Sequence, residues 1–510
     1  MSKKKCIFWH RKDLRINDNI GLNKAIESSD FLTGLYIFDP KVFDPSIIAP
    51  AKIWFLLESL KGLQSSWEKS GSELLLIKGD PILEMPILIK MLNIRTVVWN
   101  KDVEPYSRQL DSIISKQLRK EGVEVIECWD QLLIDPGSLK TKTNTDYKVF
   151  GPFMKSWQDA RFEKFENRIF FPRTPSNLEK VNTAEFQIKK NHKWLNLKLL
   201  KQVPDLKEFG MNFTGISLCP CQPGERAAQK QLEIFCEESF LKNDQLSNQA
   251  EAKRRICSYH EYRDFPSQAG TSFLSAALSV GTLSPRDAFF KAEQARLIAS
   301  KEKSHQDLQS IKIWQQELIW REFYQHSLFN FPYIANGPFR EKWKNFPWEN
   351  NEKSYTLWEQ GLTGFPIIDA AMRQLSSSGW MHNRCRMIVA SFLVKDLICN
   401  WKIGEKIFMK YLVDGDLAAN NGGWQWSASC GMDSKPLRIF NPHTQGRKFD
   451  PEAIYIKKWL PELSHVNTND LLTGEIIPIE RRGYPEPIIN HKFQQAKFKK
   501  LYSQLKYYNK

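Results

Sequence analysis

Short apolar runs alternate with amphipathic stretches over the first 132 residues. The apolar runs are CIFW, LTGLYIF, ELLLI, TVVW and VEVIE, and the stretches between them have helical periodicity, the first opened by Asp18. Five such strand–helix repeats predict an α/β domain with a doubly wound parallel sheet. Sheets of this kind bind ligands at the carboxyl ends of their strands, here in loops 10–15, 38–41 and 100–106.

The rest of the chain has a different pattern. Residues 133–210 are irregular and polar, with TKTNTD and FPRTPSN, and predict a connector that packs over the surface. After Pro223 helical periodicity dominates, which predicts an all-α domain over 211–510 beside the α/β domain at 1–132. The predicted helices are 224–241, 246–262, 311–329, 363–377, 382–399 and 403–412.

Charge and tryptophan content narrow the functional classes. The 510 residues carry 73 Lys and Arg against 58 Asp and Glu, and the net charge of +15 favours a polyanionic partner or simply a basic soluble enzyme. The 17 Trp suggest stacking, light absorption or electron transfer, although core packing explains most indoles in proteins.

Cysteine usage and hydropathy indicate a soluble cytoplasmic protein. Nine Cys without CxxC spacing predict neither a disulfide framework nor a metal site, and Cys219 and Cys221 are interpreted as surface-loop thiols. The N terminus lacks the apolar segment of a signal peptide, and no apolar stretch is long enough to span a bilayer. No GxGxxG or GxxxxGK[ST] motif is present, so neither a common dinucleotide site nor a P-loop is predicted.

Small hydroxyl residues precede a predicted helix in the segment GTSFLS. Thr271, Ser272 and Ser275 follow Gly270 at the helix start. Backbone N–H groups and hydroxyls at such a position suit a pyrophosphate, although the same residues are also ordinary helix caps.

The segment WQQELIWREFYQH places a carboxyl beside an indole. Helical spacing puts Glu317, Arg321 and Tyr324 on one face, with Trp320 one turn from Glu317. Such a carboxyl can donate or accept a hydrogen bond in an aromatic pocket. A surface ion pair over a core stripe would produce the same pattern.

Two further segments concentrate polar groups where a core would be apolar. In WMHNRCRM a helix opens with His382, Asn383, Arg384, Arg386 and Met387, a turn that can face an anionic ligand. DGDLAANNGGWQW then combines two aspartates, two asparagines and two indoles, without the spacing of a calcium loop. We interpret it as a polar clasp around a heterocycle, formed by Asp414, Asp416, Asn420 and Asn421.

These segments carry a family resemblance over essentially the whole chain. WHRKDLRINDN, KVFGPFMKSW, GTSFLS, ELIWREFY, TGFPIIDAAMRQL, GWMHNRCRMIVASFLVKDL, DGDLAANNGGWQW and RIFNPHTQGRKFD resemble, in order, the motifs of the photolyase/cryptochrome family, and specifically class I cyclobutane pyrimidine dimer photolyases. The resemblance implies an N-terminal antenna domain, a helical FAD-binding domain and light-driven repair of DNA.

The resemblance also implies roles for individual residues. FAD contacts are expected from Tyr259, Thr271, Ser272, Phe273, Leu274, Ser275, Arg386, Asp414, Asp416 and Asn420. The cavity for the pyrimidine dimer is expected from Glu317, Trp320, Asn383, Met387 and Trp426. DNA phosphates are expected at Arg263, Arg384 and Arg438, and electron transfer from flavin to the surface is expected through Trp424, Trp401 and Trp348.

The implied mechanism is electron transfer from photoexcited, reduced anionic FAD to a dimer flipped out of the duplex. Glu317, buried and protonated beside Trp320, would hydrogen-bond the dimer. A cryptochrome photoreceptor is the alternative, as are a (6-4) photolyase, which would place His at Asn383 or Met387, and a Trp-rich single-strand-binding module.

The antenna loops resemble those of members that bind a deazaflavin. The segments FDP, IIAPAKIWF and WNKDVEPY imply 8-hydroxy-5-deazaflavin, with methenyltetrahydrofolate as the alternative. Asp102 and Glu104 are the expected polar contacts, and the small side chains of Ala49 and Ala51 leave room for a flat ring. The family also implies a monomer that binds damaged DNA and no membrane.

Overall fold

The computed structural model describes residues 4–165, 198–237, 239–241, 252–433 and 437–505. Residues 246–251 of the helix predicted over 246–262 lie outside these ranges. Among the helices described, none has both the length and the apolar character that a bilayer crossing demands.

The predicted parallel sheet is confirmed and has one additional strand. Five parallel strands follow the order β5-β4-β1-β2-β3, and β6 pairs antiparallel with β3 at the edge. The strand β6 comes from the segment predicted as irregular, and its three residues are too few for an alternating pattern to be recognised. The strands are β1 Lys5–His10, β2 Phe31–Phe38, β3 Leu74–Lys78, β4 Thr96–Asn100, β5 Glu124–Cys128 and β6 Lys198–Leu200.

Helices cover the sheet and build the C-terminal half. Those of the first half are α1 Ile20–Glu27, α2 Pro50–Lys69, α3 Pro81–Leu92, α4 Pro105–Lys120 and α5 Phe150–Phe165. The others are α6 Glu225–Cys236, α7 Tyr259–Tyr262, α8 Ser275–Val280, α9 Pro285–Lys301, α10 His305–Asn330, α11 Glu352–Gln360, α12 Pro366–Ser378, α13 Asn383–Ser391, α14 Trp401–Tyr411, α15 Leu417–Ser427, α16 Pro442–Phe449, α17 Ile454–Trp459, α18 Thr468–Thr473 and α19 His491–Gln504.

Local chemistry fixes where these helices begin. The helices α2, α3 and α4 each start with a proline, which fits the first helical position because its missing N–H is not needed there. The helix α1 is capped by Asn19, whose side chain accepts from the Leu22 amide. The prediction that Asp18 opens this helix is therefore off by one residue, because Asp18 instead pairs with Arg286.

Three predicted helices end or change form where the backbone pairs elsewhere. The helix predicted over 224–241 ends at Cys236, and Ser239–Leu241 pairs antiparallel with Ala252–Arg254. The described part of 246–262 is consequently a strand and two short helical turns rather than one helix. The helix predicted over 382–399 is α13 continued by a π-helical turn at Phe392–Asp396.

The helix α5 lies inside the predicted connector and joins the helical core. Phe153 and Trp157 are buried beside α10, and the Trp157 indole donates to the Glu322 carboxylate at 2.6 Å. This helix is stabilised by aromatic anchors and not by a regular apolar stripe, which explains why periodicity did not predict it.

The carboxyl ends of the parallel strands face the helical half of the molecule. Arg15 pairs with Asp130 at 2.6 Å, and Arg286 reaches the same carboxylate at 2.7 Å from α9. Lys52, at the start of α2, donates to the Gly415 carbonyl. The Arg286 contact attaches the loop after β5 to α9, and the Lys52 contact attaches α2 to the Asp-Gly-Asp segment 414–416.

Candidate functional site

A cavity of about 520 Å³ lies among the helices of the C-terminal half. It is lined mainly by α10, α13 and α15, together with the segments before α8 and α15. The predicted residues that line it are Tyr259, Arg263, Ser272, Leu274, Ser275, Glu317, Trp320, Asn383, Arg386, Met387, Asp414, Asp416, Asn420, Trp424 and Trp426. These residues, far apart in sequence, therefore share one cavity. Asn421 of the predicted clasp does not line it, and its amide instead donates to the Ile334 carbonyl and to Glu405.

An ion pair forms one wall of this cavity. The Arg386 guanidinium contacts Asp414 Oδ2 at 2.8 Å and also donates to the Met381 carbonyl at 2.8 Å. Asp416 caps α15 by accepting from the Ala419 amide, and it accepts from the Gln325 side chain at 3.1 Å. The clasp is consequently held by several elements before any ligand is present.

Buried polar atoms without partners test whether FAD fits. Within the described part of the chain, Asp414 Oδ1, Trp424 Nε1 and Thr271 Oγ1 are buried and make no hydrogen bond. Asp414 and Trp424 line the cavity, and Thr271 adjoins it through Ser272. Buried polar groups in folded proteins nearly always have a partner, so these atoms indicate a polar ligand with both donors and acceptors. FAD meets that requirement, and the residues present fit it.

The segment before α8 approaches the cavity with its small side chains. Ser272, Leu274 and Ser275 line the cavity, whereas Phe273 turns away and packs against Trp380 at 5.3 Å between ring centroids. Gly270 precedes them, and a Cβ there would lie 2.4 Å from the Tyr262 carbonyl oxygen. The close approach of these two backbone segments therefore requires glycine.

Glu317 does not have the environment that was predicted for it. Its side chain is 36% exposed and pairs with Arg263 at 2.8 Å. The expectation of a buried Glu317 against Trp320 is wrong, because the side chain is partly exposed and its partner is the Arg263 guanidinium. Trp320 instead stacks on Phe150 of α5, with ring centroids 3.5 Å apart and planes 6° apart.

The start of α13 presents an amide and a thioether to the cavity. Asn383 and Met387 are one turn apart and both line it. His382 is the helix cap, and its Nδ1 accepts from the Arg384 amide at 3.1 Å. Burial lowers the pKa of His382 to about 4, so this imidazole is neutral near pH 7.

Of the three arginines predicted to contact DNA, Arg384 and Arg438 do not line this cavity. Both lie near its rim. Arg384 pairs with Asp264 at 2.7 Å and lies 4.3 Å from the Phe449 ring centroid. Arg438 lies 5.7 Å from the Trp426 ring centroid, and it lines a small adjacent cavity together with Trp426 and Met387. A phosphate that binds Arg384 has to compete with Asp264.

The three tryptophans predicted to carry electrons share one hydrophobic core. Trp424 lines the cavity, Trp401 is buried, and Trp348 is partly exposed. Trp348 packs against Phe346, with ring centroids 4.3 Å apart. Sequence reasoning missed Trp358, which is fully buried and 6.2 Å from Trp424 between centroids.

Asp102 and Glu104 are bound by a lysine of the same domain. Lys12 contacts Asp102 at 2.8 Å and Glu104 at 2.5 Å. Burial opposes ionisation of Asp102, but the Lys12 charge outweighs it and lowers the pKa of Asp102 to about 2. Ala49 and Ala51 are buried at the start of α2.

Further residues line the cavity besides those assigned to FAD or to the dimer. Arg321 and Tyr324 belong to the predicted face of α10, and both line the cavity. Ser279, Trp314 and Ser427 also do so, one residue each from α8, α10 and α15. Small and apolar residues of this kind are indistinguishable in sequence from ordinary helix packing.

Comparisons with known proteins agree with this arrangement. Family models described as DNA photolyase and FAD binding domain of DNA photolyase match residues 6–170 and 314–504. A deoxyribodipyrimidine photo-lyase from Synechococcus sp. is 47% identical over 98% of this chain and 96% of its own, and that of Escherichia coli is 35% identical over 95% and 96%.

Solved structures show the same fold. A bacterial class III photolyase from Agrobacterium tumefaciens has a TM-score of 0.83 at 32% identity, with 99% of this chain and 98% of that chain covered. A Synechocystis cryptochrome has a TM-score of 0.81 at 27% identity, with 98% and 100% covered. A Sulfolobus tokodaii photolyase with two FAD molecules has a TM-score of 0.74 at 28% identity, with 98% and 100% covered. The chain belongs to the photolyase/cryptochrome family and has its FAD-binding domain.

Proposed function

We propose that this protein is a deoxyribodipyrimidine photo-lyase that repairs cyclobutane pyrimidine dimers in DNA with light. The observation that carries the proposal is one cavity in which the Asp414–Asp416 clasp meets Asn383 and Met387. The Synechococcus and Escherichia coli relatives, which align over nearly the whole chain, are photo-lyases by name. Breaking the carbon–carbon bonds of a dimer in this way needs an electron donor and a site for two pyrimidines. The lining residues supply candidate contacts for each.

Different residues of the cavity would bind the cofactor and the dimer. When bound, reduced FAD supplies an electron after it absorbs light. Arg386 and Asp414 would hold its ring system, with Asp416 and Asn420 beside them, while Tyr259 and the segment 271–275 would hold the phosphate and ribityl parts. Trp320 and Trp426 present aromatic faces on which the pyrimidines stack, and Asn383 hydrogen-bonds a base edge.

The ion pair Arg263–Glu317 lies on the wall of the cavity, where the dimer is proposed to bind. A dimer that enters can exchange this ion pair for two new contacts, Arg263 with a phosphate and Glu317 with a base. Displacement of Arg263 would free the Glu317 carboxyl group for a hydrogen bond with a dimer base. The role of Glu317 therefore depends on substrate.

The DNA partner follows from charge as well as from the pocket. The chain has a net charge of +15, which favours binding of a polyanion. Arg263 lines the cavity, Arg438 lines the small cavity beside it, and Arg384 directly follows the lining residue Asn383. We propose that these residues contact phosphates and that the protein acts as a monomer. Electrons for activating oxidised FAD would pass from Trp348 through Trp401 to Trp424.

We also propose that a second chromophore is 8-hydroxy-5-deazaflavin. The support is the sequence resemblance of the antenna loops, and the archaeal relative with two FAD molecules shows that a family member can hold a second cofactor. Asp102 would need to exchange Lys12 for the chromophore. Protein purified from a deazaflavin-producing host should release deazaflavin on denaturation, and stoichiometric folate would contradict this proposal.

A cryptochrome-type photoreceptor is the second possible function, because the Synechocystis cryptochrome has nearly the same fold. One assay separates the two. The protein with fully reduced FAD is mixed with an oligonucleotide that contains one cyclobutane thymine dimer and kept in light or in darkness. A photo-lyase restores the thymines only in light, whereas a photoreceptor without repair activity leaves the dimer intact in both.

A further inference from the structure

A groove of about 760 Å³ lies on the N-terminal half of the molecule. It is separate from the cavity among α10, α13 and α15, here called the flavin cavity. The two share no lining residue. One side of the groove is α4, the other is formed by the ends of β4 and β5, and Phe329 of α10 closes one end. Its lining residues include five cationic side chains, at Lys101, Arg108, Lys116, Arg119 and Lys120.

The acidic residues of the groove are already occupied. Asp111 pairs with Arg11 at 2.7 Å, and Asp102 pairs with Lys12 at 2.8 Å. Neither Arg11 nor Lys12 lines the groove. Glu127 pairs with Arg119 at 3.4 Å. Two carboxylates of the groove are therefore paired with cations outside it, and the third is paired with Arg119 within it. The surface that faces a ligand is consequently cationic.

The remaining cations have no carboxylate partner. In the described ranges, no Asp or Glu lies within ion-pair distance of Lys101, Arg108, Lys116 or Lys120. Lys101 lies 4.5 Å from the Trp129 ring centroid, and Arg108 lies 4.3 Å from that of Phe329. These aromatic contacts hold two cations in place without neutralising them.

A buried hydroxyl provides an independent observation. Ser115 lines the groove, is 4% exposed, and its Oγ makes no hydrogen bond in the described part of the chain. A buried hydroxyl without a partner is uncommon, because desolvation without a hydrogen bond costs about 1–3 kcal/mol. A ligand oxygen in the groove would satisfy it.

We propose that this groove binds a nucleoside triphosphate. Its phosphates would contact Lys101, Arg108 and Lys116, and the Ser115 hydroxyl would donate to a phosphate oxygen. Trp129 and Phe329 supply apolar surface for the base. The volume lies within the roughly 300–1,000 Å³ typical of small-molecule sites and exceeds what a lone phosphate needs.

The test uses calorimetric titration of ATP into the full-length protein loaded with FAD, so that the flavin cavity is filled. One ATP should bind per chain. Ser115→Ala should weaken binding about threefold or more without lowering the thermal unfolding temperature, because that hydroxyl has no partner in the free protein. Lys116→Glu should weaken it about tenfold or more, equivalent to about 1.4 kcal/mol.

The control is Lys90→Glu, the same charge reversal at an exposed position of α3. It should change the affinity less than about twofold. Equal losses from Lys90→Glu and Lys116→Glu would show attraction by net charge alone and overturn the proposal, as would an unchanged affinity in Ser115→Ala. If tripolyphosphate bound as tightly as ATP, the proposed contact with the base would be overturned. If undamaged duplex DNA displaced ATP, the groove would be a DNA-binding site instead.

Discussion

Arg263 and Glu317 form an ion pair of 2.8 Å on the wall of the flavin cavity, between a residue predicted to bind phosphate and one predicted to bind a base. Because each residue is the other's partner, neither can make its proposed contact with DNA until the ion pair is broken. In the free protein the Glu317 side chain is 36% exposed, so a bound base could reach it once Arg263 is displaced.

Removing this carboxyl should lower repair efficiency without abolishing it. Glu317→Ala removes one hydrogen bond to the dimer but leaves Trp320, Asn383 and Trp426 in place. We expect the yield of restored thymines per absorbed photon to fall by about twofold to tenfold, the effect of losing one hydrogen bond of about 0.5–1.5 kcal/mol. The measurement uses protein with pre-reduced FAD and a dimer-containing oligonucleotide.

Glu317→Gln is the matched variant, because its amide can still donate to a carbonyl but cannot pair ionically with Arg263. It should retain more of the yield than Glu317→Ala and should bind damaged DNA at least as tightly as the parent protein. If Glu317→Gln and Glu317→Ala lost equal activity, the donor role of this side chain would be refuted.

The three tryptophans should affect photoreduction of oxidised FAD but not repair by protein whose FAD is already reduced. Trp348 is the partly exposed member, so Trp348→Phe should slow photoreduction of oxidised FAD by about tenfold or more. Repair by pre-reduced protein should stay nearly unchanged, since that step does not use the surface route. Transient absorption of the flavin measures the first rate and the oligonucleotide assay the second.

Trp54→Phe is the control for that comparison. Trp54 is also partly exposed, but it lies on α2 in the N-terminal half and packs against Phe213. Its replacement should leave photoreduction at the parental rate. Trp358→Phe tests a branch, because Trp358 is the indole whose contact with Trp424 was not predicted. If Trp348→Phe kept the parental rate of photoreduction and Trp358→Phe slowed it, electrons would reach Trp424 through Trp358 and not through Trp348.

Binding of damaged duplex should weaken with salt. Each phosphate contact of B-DNA contributes about 0.9 to the slope of log affinity against log salt, so Arg384→Ala and Arg438→Ala should each reduce the slope by about one unit or less. Asp264→Asn should increase affinity, because it releases Arg384 from the 2.7 Å pair that competes with phosphate. Fluorescence anisotropy at several salt concentrations measures these slopes.

Arg95→Ala serves as the control, because Arg95 is exposed just before β4, at the amino edge of the sheet. Its slope should equal that of the parent protein. A salt-independent affinity, or an equal change of slope in Arg95→Ala, would contradict the assignment of Arg384 and Arg438.

The sequence predicted the elements better than it predicted their contacts. The apolar runs located β1 to β5, because strands buried on both faces leave continuous hydrophobic segments. The strand β6 and the helix α5 were missed, since a three-residue edge strand and a helix anchored by Phe150, Phe153 and Trp157 show no regular period.

The same distinction holds for the site. The family motifs placed Asn383, Arg386, Asp414 and Trp426 together, and all four line one cavity. Only Asn383 and Arg386 fall in a predicted helix, because Asp414 precedes α15 and α15 itself, which carries Trp426, was not among the helices predicted. Ion-pair partners were not predictable. Arg263 meets Glu317, and Lys12 meets Asp102, only because tertiary packing brings segments together that are about fifty or more residues apart. Charge partners of this kind depend on side-chain positions that no periodicity encodes.

Buried histidines should make the protein lose stability on mild acidification. His326 is 3% exposed, its Nε2 faces the Ile134 carbonyl at 3.1 Å, and burial lowers its pKa from 6.5 to about 4. The folded state therefore keeps it neutral while the unfolded chain takes up a proton below its ordinary pKa. Its contribution to stability is present above about pH 6.5 and is lost as pH falls toward about 4.

For His326 alone, linkage gives a loss of about 1 kcal/mol between about pH 7.5 and about pH 5.5. His326→Gln keeps a donor for the Ile134 carbonyl but cannot be protonated in this range, so its unfolding midpoint in urea should depend less steeply on pH. His465→Gln, at an exposed position, should retain the parental dependence. Parallel pH profiles for all three proteins would mean that His326 is not the group that titrates, because a neutral buried imidazole cannot leave the profile unchanged when it is replaced.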